Sequence, residues 1–282
     1  MRRKAAALLP AVAMLILSCH RISSPDKEVI RLRDGAQITF AHMLKELQDV
    51  DFVVVGEVHD QMASHRAQLR IIKGLWNSGQ TLAVGLEMFW AESQPQLDHW
   101  LNGDMDDDDF IRLYYRDWGL PWPLYRPILS FLKERKIPMV GLNVRPALTE
   151  KVAAGGVESL TEQERRELPP GLSCDISGEY ENYVRQVFRM HGGEEKKSFR
   201  NFCETQVLWD KVMAWHLIRY KDRHPDRQIV VLAGLAHALK RGIPARLAEL
   251  SKGATTCIIV PEAPTIPLDS ITAGLADYFI PE

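Results

Sequence analysis

The sequence has no excess of either charge. Its 35 lysines and arginines face 37 aspartates and glutamates, a formal net charge of -2, so no global basic field recruits nucleic acid or acidic lipid. Nucleic acid is therefore excluded as a principal partner. Internal repeats are lacking, and the only biased tract is the acidic run at residues 104–109. That run reads as a solvated helix start, because it lacks the glycine and distal glutamate of a calcium loop. Cysteine is scarce, with four in 282 residues, and no pair has the close spacing of a zinc knuckle. Cys257, inside Thr255-Thr256-Cys257-Ile258-Ile259-Val260, reads as a buried strand thiol. Cys174 and Cys203 are left as a pair that an oxidising compartment would let form a disulfide.

The chain opens with a basic stretch, Met1-Arg2-Arg3-Lys4, followed by an apolar run at residues 5–17. The run is too short to span a bilayer as a mature helix, so it reads as a secretion signal. It closes Ile16-Leu17-Ser18-Cys19, which resembles the lipobox of bacterial lipoproteins, where a small residue precedes the cysteine that becomes the acylated amino terminus. Residues 1–18 are accordingly expected to be a signal peptide and Cys19 the lipidation site. Several acyl chains anchor a protein stably without a transmembrane helix. His20 stands where an aspartate would indicate inner-membrane retention, which favours an outer-membrane lipoprotein facing the periplasm or the cell surface.

Roughly 260 residues follow the signal, enough for one large α/β domain. Five short, nearly continuous apolar runs predict strands covered on both faces, at residues 52–55, 82–86, 138–142, 229–232 and 257–260. Helical patterns at 41–48, 68–76 and 127–133 alternate with them. The fold expected is α/β, a mostly parallel central sheet flanked by helices. About 85 residues separate the third and fourth strands, too many for a simple crossover. Helical stretches at 178–191 and 199–220 predict an inserted helical subdomain there. The expected division is an α/β core at 28–145 and 226–282, with the insertion at 146–225.

The first apolar run passes straight into Gly56-Glu57-Val58-His59-Asp60, and polar groups recur where the other strands should end. They are Glu87 in Gly85-Leu86-Glu87-Met88-Phe89, then Asn143 and Arg145, then His237 in Gly234-Leu235-Ala236-His237. Sites in open α/β sheets form at the carboxyl ends of strands, so Glu57, His59, Glu87 and His237 are expected to converge on one polar site. Two imidazoles and a carboxylate suffice to hold zinc or another divalent metal, with Glu57 as base for a bound water. Without metal, the same groups position a substrate and exchange protons.

The segments Gly56-Glu57-Val58-His59-Asp60, Gly85-Leu86-Glu87-Met88-Phe89, Gly141-Leu142-Asn143, Gln206-Val207-Leu208-Trp209-Asp210-Lys211-Val212-Met213-Ala214 and Ala233-Gly234-Leu235-Ala236-His237 resemble the ChaN family of haem-binding, iron-regulated lipoproteins. The last reads Gly-Leu-Ala-His where a smaller polar turn, Gly-Asn-Gly-His, is usual in the family. The wider group takes in the TIKI and TraB proteins and the erythromycin esterases, some of them hydrolases. The resemblance implies a haem-binding accessory of haem and iron uptake rather than an enzyme. Its implied partners are haem, an outer-membrane haem receptor, the membrane through a lipid anchor, and a second copy that completes the haem pocket. A metal-dependent hydrolase using His59, Glu87 and His237 is the alternative.

In that family a tyrosine ligates the iron, while a histidine and a lysine meet the propionates. Tyrosinate is a hard anionic donor that holds ferric iron. The expected haem wall is the helix at 178–191, where Tyr180, Val184, Val187 and His191 share a face beside Tyr183. Tyr183 is the preferred ligand and Tyr180 the second, with Tyr125 and Tyr220 next. His191 and Lys196 are the expected contacts on the haem side. A second aromatic tract, Tyr114 to Tyr125, contains prolines that predict an extended segment whose rings either line the mouth of the crevice or seal the subdomain junction, sealing being preferred.

Overall fold

The computed structural model describes residues 29–190, 198–264 and 268–282. The chain begins with a short hairpin, β1 (Val29–Arg31) and β2 (Ala36–Ile38), then α1 (Phe40–Glu46), β3 (Phe52–Glu57), α2 (Met62–Asn77) and β4 (Leu82–Trp90). Three helices follow, α3 (Gln94–Asn102), α4 (Asp107–Asp117) and α5 (Trp122–Arg135), before β5 (Met139–Asn143). Between β5 and the next strand run α6 (Pro146–Gly155), α7 (Glu162–Arg166), α8 (Gly178–Met190) and the long α9 (Phe199–Arg223). The chain returns through β6 (Gln228–Gly234), α10 (Leu235–Ala238), α11 (Ile243–Leu250), β7 (Thr256–Pro261) and β8 (Tyr278–Ile280).

The strands form one sheet in the order β2-β1-β8-β7-β3-β6-β4-β5. From β8 to β5 all pairings are parallel, and only β1 pairs antiparallel, with β2 and β8. The fold is thus the mixed α/β sheet expected. β3 to β7 fall on the five apolar runs, because a strand packed on both faces needs hydrophobic residues. β4 does not stop at Leu86 as expected but continues through Glu87 to Trp90, with an irregularity in its pairing to β5. All six residues of β3 and all seven of β6 are buried.

Alternate side chains enter different cores. Val53, Val55, Val84, Leu86, Val230 and Leu232 meet α2 to α5 on one face. Phe52, Val54, Ala83, Leu142, Val231 and Ile258 meet the second half of α9 and α11 on the other, through Met213, Leu217 and Leu247. A smaller cluster joins α6 to α9 through Leu148, Val152, Leu208 and Val212. The connection between β5 and β6 is helical, as expected, but α9 serves both that cluster and the main sheet.

β5 ends the sheet, and its free edge is protected by a side chain. Gln94 donates from Nε2 to the Met139 carbonyl at 2.8 Å and accepts from the Gly141 N–H at 3.0 Å, as a neighbouring strand would. The acidic tract does start a helix, Asp106 accepting from the Asp109 N–H as the cap of α4. The prolines of the aromatic tract do not keep it extended. Tyr114 lies in α4, and Pro123 sits in the first turn of α5, where a missing N–H costs nothing. Tyr114 and Tyr125 are buried in the first core, with Trp118 and Trp122 packed on it.

Candidate functional site

β6 lies between β3 and β4, and its last residue, Gly234, stands beside Glu57 in register. A Cβ there would lie 2.7 Å from His59 Cε1, 2.9 Å from His59 Nε2 and 3.6 Å from Glu87 Oε2. Glycine therefore opens the space in which the polar groups of three adjacent strand ends meet.

Glu57, 3% exposed, is the hub of the first half. Its Oε1 meets His59 Nδ1 at 2.8 Å and accepts a hydrogen bond from the Tyr125 hydroxyl. Its Oε2 accepts from Gln68 Nε2 at 2.7 Å. Gln68 Oε1 faces His65 Nδ1 at 3.2 Å, and His65 Nε2 meets the His59 carbonyl at 2.9 Å, so α2 braces the loop that carries His59. Burial opposes charge on the His59 ring, but the hydrogen bond to Glu57 and the charges of Glu87 and Glu57 outweigh it and raise its pKa to about 9. Burial likewise works against ionised Glu57, and His59 reverses the effect, holding the carboxyl below its ordinary value. His59 is thus a cation at the rim, its side chain 38% exposed and edge-on to Trp118 at 5.0 Å between ring centroids.

Glu87 and His237 form the second half. Glu87 Oε2 accepts from the Gly234 N–H at 2.6 Å, and its Oε1 lies 3.7 Å from His237 Nε2. His237 Nδ1 meets Asp210 Oδ1 at 2.7 Å. Burial disfavours the imidazolium, but Glu87 and Asp210 face it from both sides and raise its pKa. The other Asp210 oxygen accepts from the Tyr180 hydroxyl at 3.0 Å, which also lies 3.3 Å from the Ala236 carbonyl. Tyr180 on α8 is thereby tied to the strand ends. Asn143 joins from β5, donating from Nδ2 to the Glu87 carbonyl at 2.9 Å.

The structure thus brings together Glu57, His59, Glu87 and His237 as expected, and adds Tyr180, which was assigned to a haem wall. The buried stripe of α8 is Tyr180, Val184 and Phe188, with Phe188 against Phe199 and Phe202 at 5.5 and 5.3 Å. Tyr183 lies on α8, but its side chain is outside the described set. His191, Lys196 and Cys19 also lie outside the described residues. Tyr125, 1% exposed, donates to Glu57, and burial drives its phenol well above the usual range. Tyr220 is 8% exposed, with its phenol raised chiefly by burial.

Cys174 and Cys203 are joined as a disulfide, which holds the segment entering α8 against α9. Cys257 is free and buried. A divalent metal is not supported: among the described residues no three His, Cys, Asp or Glu side chains are arranged to hold a metal ion. The imidazoles of His59 and His237 are each paired to a carboxylate through Nδ1. His65, Gln68 and Asp210 complete the site from helices, and the sequence assigned them no role in it. Asp210 had a signal, since it stood in one of the quoted segments. His65 and Gln68 lie one helical turn apart on the buried face of α2, which also carries Ser64, Ile71, Ile72 and Leu75.

Known proteins give this arrangement a context. In ChaN of Campylobacter jejuni, solved with haem bound cofacially, the fold superposes with a TM-score of 0.70 at 18% identity, over 89% of this chain and 94% of that one. An erythromycin esterase mutant in its open conformation reaches a TM-score of 0.49 at 17% identity, over 78% of this chain and 72% of the other. Among curated proteins, the chloroplastic protein RETICULATA-RELATED 5 of Arabidopsis thaliana is 28% identical over 117 residues, which are 39% of this chain and 16% of that protein's length. Residues 43–247, which hold both halves of the site, match the family described as haem-binding uptake, Tiki superfamily, ChaN, and the chain belongs to that family.

Proposed function

We propose that this protein binds haem as cargo and serves haem or iron uptake from a lipid anchor on the outer membrane. The observation that carries the reading is membership of the haem-binding uptake family across residues 43–247. The residues at the rim suit such a cargo. His59 is an accessible cation and would meet a carboxylate such as a propionate. Among the candidate tyrosines, Tyr180 and Tyr125 are committed to buried carboxylates and Tyr220 lines a separate groove that none of the strand-end residues shares, which leaves Tyr183 on α8 as the proposed iron ligand. His191 and Lys196 are the proposed contacts to the propionates.

The anchor would be Cys19 after removal of residues 1–18, and the partners an outer-membrane haem receptor and a second copy of the chain. The Cys174–Cys203 disulfide supports an oxidising compartment. No helix among the described residues is long and apolar enough to cross a membrane, so attachment would rest on the lipid. A second reading, metal-free hydrolysis, rests on the two imidazole–carboxylate pairs that flank Glu87. Titration with hemin alongside an esterase screen separates the two. Saturable hemin binding by a protein without esterase turnover supports transport, and ester turnover without a haem spectrum supports hydrolysis.

A further inference from the structure

A groove of about 550 Å³ runs along the free edge of β5 between α3 and α9, and none of the strand-end residues lines it. Its floor includes Met139 and Tyr220, and one wall carries Arg219, Arg223 and Arg227. Arg219 and Arg223 lie one turn apart on α9, and Arg227 follows at the entry to β6. The arms of these side chains are held while their cationic heads keep donors to spare. Arg219 packs over Trp215 at 4.6 Å, Arg223 Nε donates to the Arg219 carbonyl at 2.9 Å, and one Arg227 nitrogen donates to the Leu82 carbonyl at 2.9 Å. Among the described residues none of the three makes an ion pair.

Against these three charges the groove holds one carboxylate, Asp98, whose Oδ1 accepts from Gln94 at 2.8 Å. Like charges one helical turn apart repel unless something between them carries the opposite sign. Burial, Arg219 and Arg223 together press the His216 pKa down to about 4, a mark of the same local field. Two kinds of occupant fit an arginine-lined groove on a sheet edge, an added strand or a compact anion. The strand is disfavoured, because Gln94 already occupies the Met139 carbonyl and the Gly141 N–H.

We propose that this groove binds a small, multiply charged oxyanion of the polyphosphate or polycarboxylate class, gripped by Arg219, Arg223 and Arg227. Planar guanidinium forks match both chemistries and hold them bidentately. Calorimetric titration of the full-length protein with pyrophosphate and, separately, citrate tests the site and names the class. Saturable binding of at least one probe is expected. Arg219→Ala and Arg223→Ala should each weaken it about tenfold with the unfolding midpoint unchanged. Arg112→Ala, at an exposed side chain of α4, should leave it as it is. Asp98→Asn, which removes the opposing carboxylate, should tighten binding about two- to threefold and keeps the test open should an arginine variant fold poorly. Absence of saturation with both probes, or groove variants that bind like Arg112→Ala and an Asp98→Asn that binds no tighter, would overturn the proposal.

Discussion

Replacing His59 by asparagine leaves a neutral donor near Glu57 and removes the rim cation. The folded imidazole has a pKa of about 9, against about 6.5 in the unfolded chain. A group with a higher value in the fold binds its proton more tightly there. Its contribution to stability is therefore complete below about pH 6.5 and is lost as the pH rises through about 9. A difference of that size would be worth about 3 kcal/mol for an enclosed group. The side chain is 38% exposed, so solvent screening reduces the figure to about 1–2 kcal/mol. Urea unfolding of wild type and His59→Asn at about pH 6, 7.5 and 9.5 reads the effect directly. The variant should be less stable by about 1–2 kcal/mol at the lowest pH, and the gap should close at the highest. A gap that stays constant, or widens with pH, would refute the assignment of a charged His59 held by Glu57 and Glu87.

Gly141→Ala should destabilise by about 2–3 kcal/mol in chemical denaturation, because a Cβ would lie 2.5 Å from the Trp90 carbonyl oxygen and backbone cannot move aside cheaply. An unchanged midpoint would show that β5 packs less closely on the end of β4. Replacing Cys174 and Cys203 together by serine opens a cross-link spanning 29 residues and should cost about 3.5 kcal/mol on loop entropy. Thermal unfolding measures the loss, and no loss would mean that the bond is not formed in the protein. Cys19→Ala should release the folded protein from membranes on fractionation, and continued partition with membranes would contradict the lipid anchor.

The central sheet was legible because buried parallel strands need apolar residues on both faces, and β3 to β7 carry them without interruption. β1, β2 and β8 were not, since each has three residues and exists only through its pairing at the sheet's far side. Glu57, Glu87 and His237 could be read as a site because polar residues recurring at or just past several apolar runs have few structural reasons to be there. Their partners could not. Asp210 sits mid-helix on α9, marked only by its place in a family-like segment, and its pairing appears once the fold places it 2.7 Å from His237. Tyr180 was legible as a buried-stripe tyrosine but not as a ligand of Asp210, because stripe periodicity gives the face and not the partner. The aromatic tract misled for a simpler reason, as a proline restricts the residue before it yet suits the first turn of a helix.

Haem capture by a tyrosine of α8 can be read from a single spectrum. Hemin added to the protein lacking residues 1–18 should give a saturating high-spin ferric spectrum with the charge-transfer absorption of bound tyrosinate. Tyr183→Phe should abolish that band while the fold is retained. A protein that never saturates with hemin, or a Tyr183→Phe variant with the parent spectrum, would contradict it.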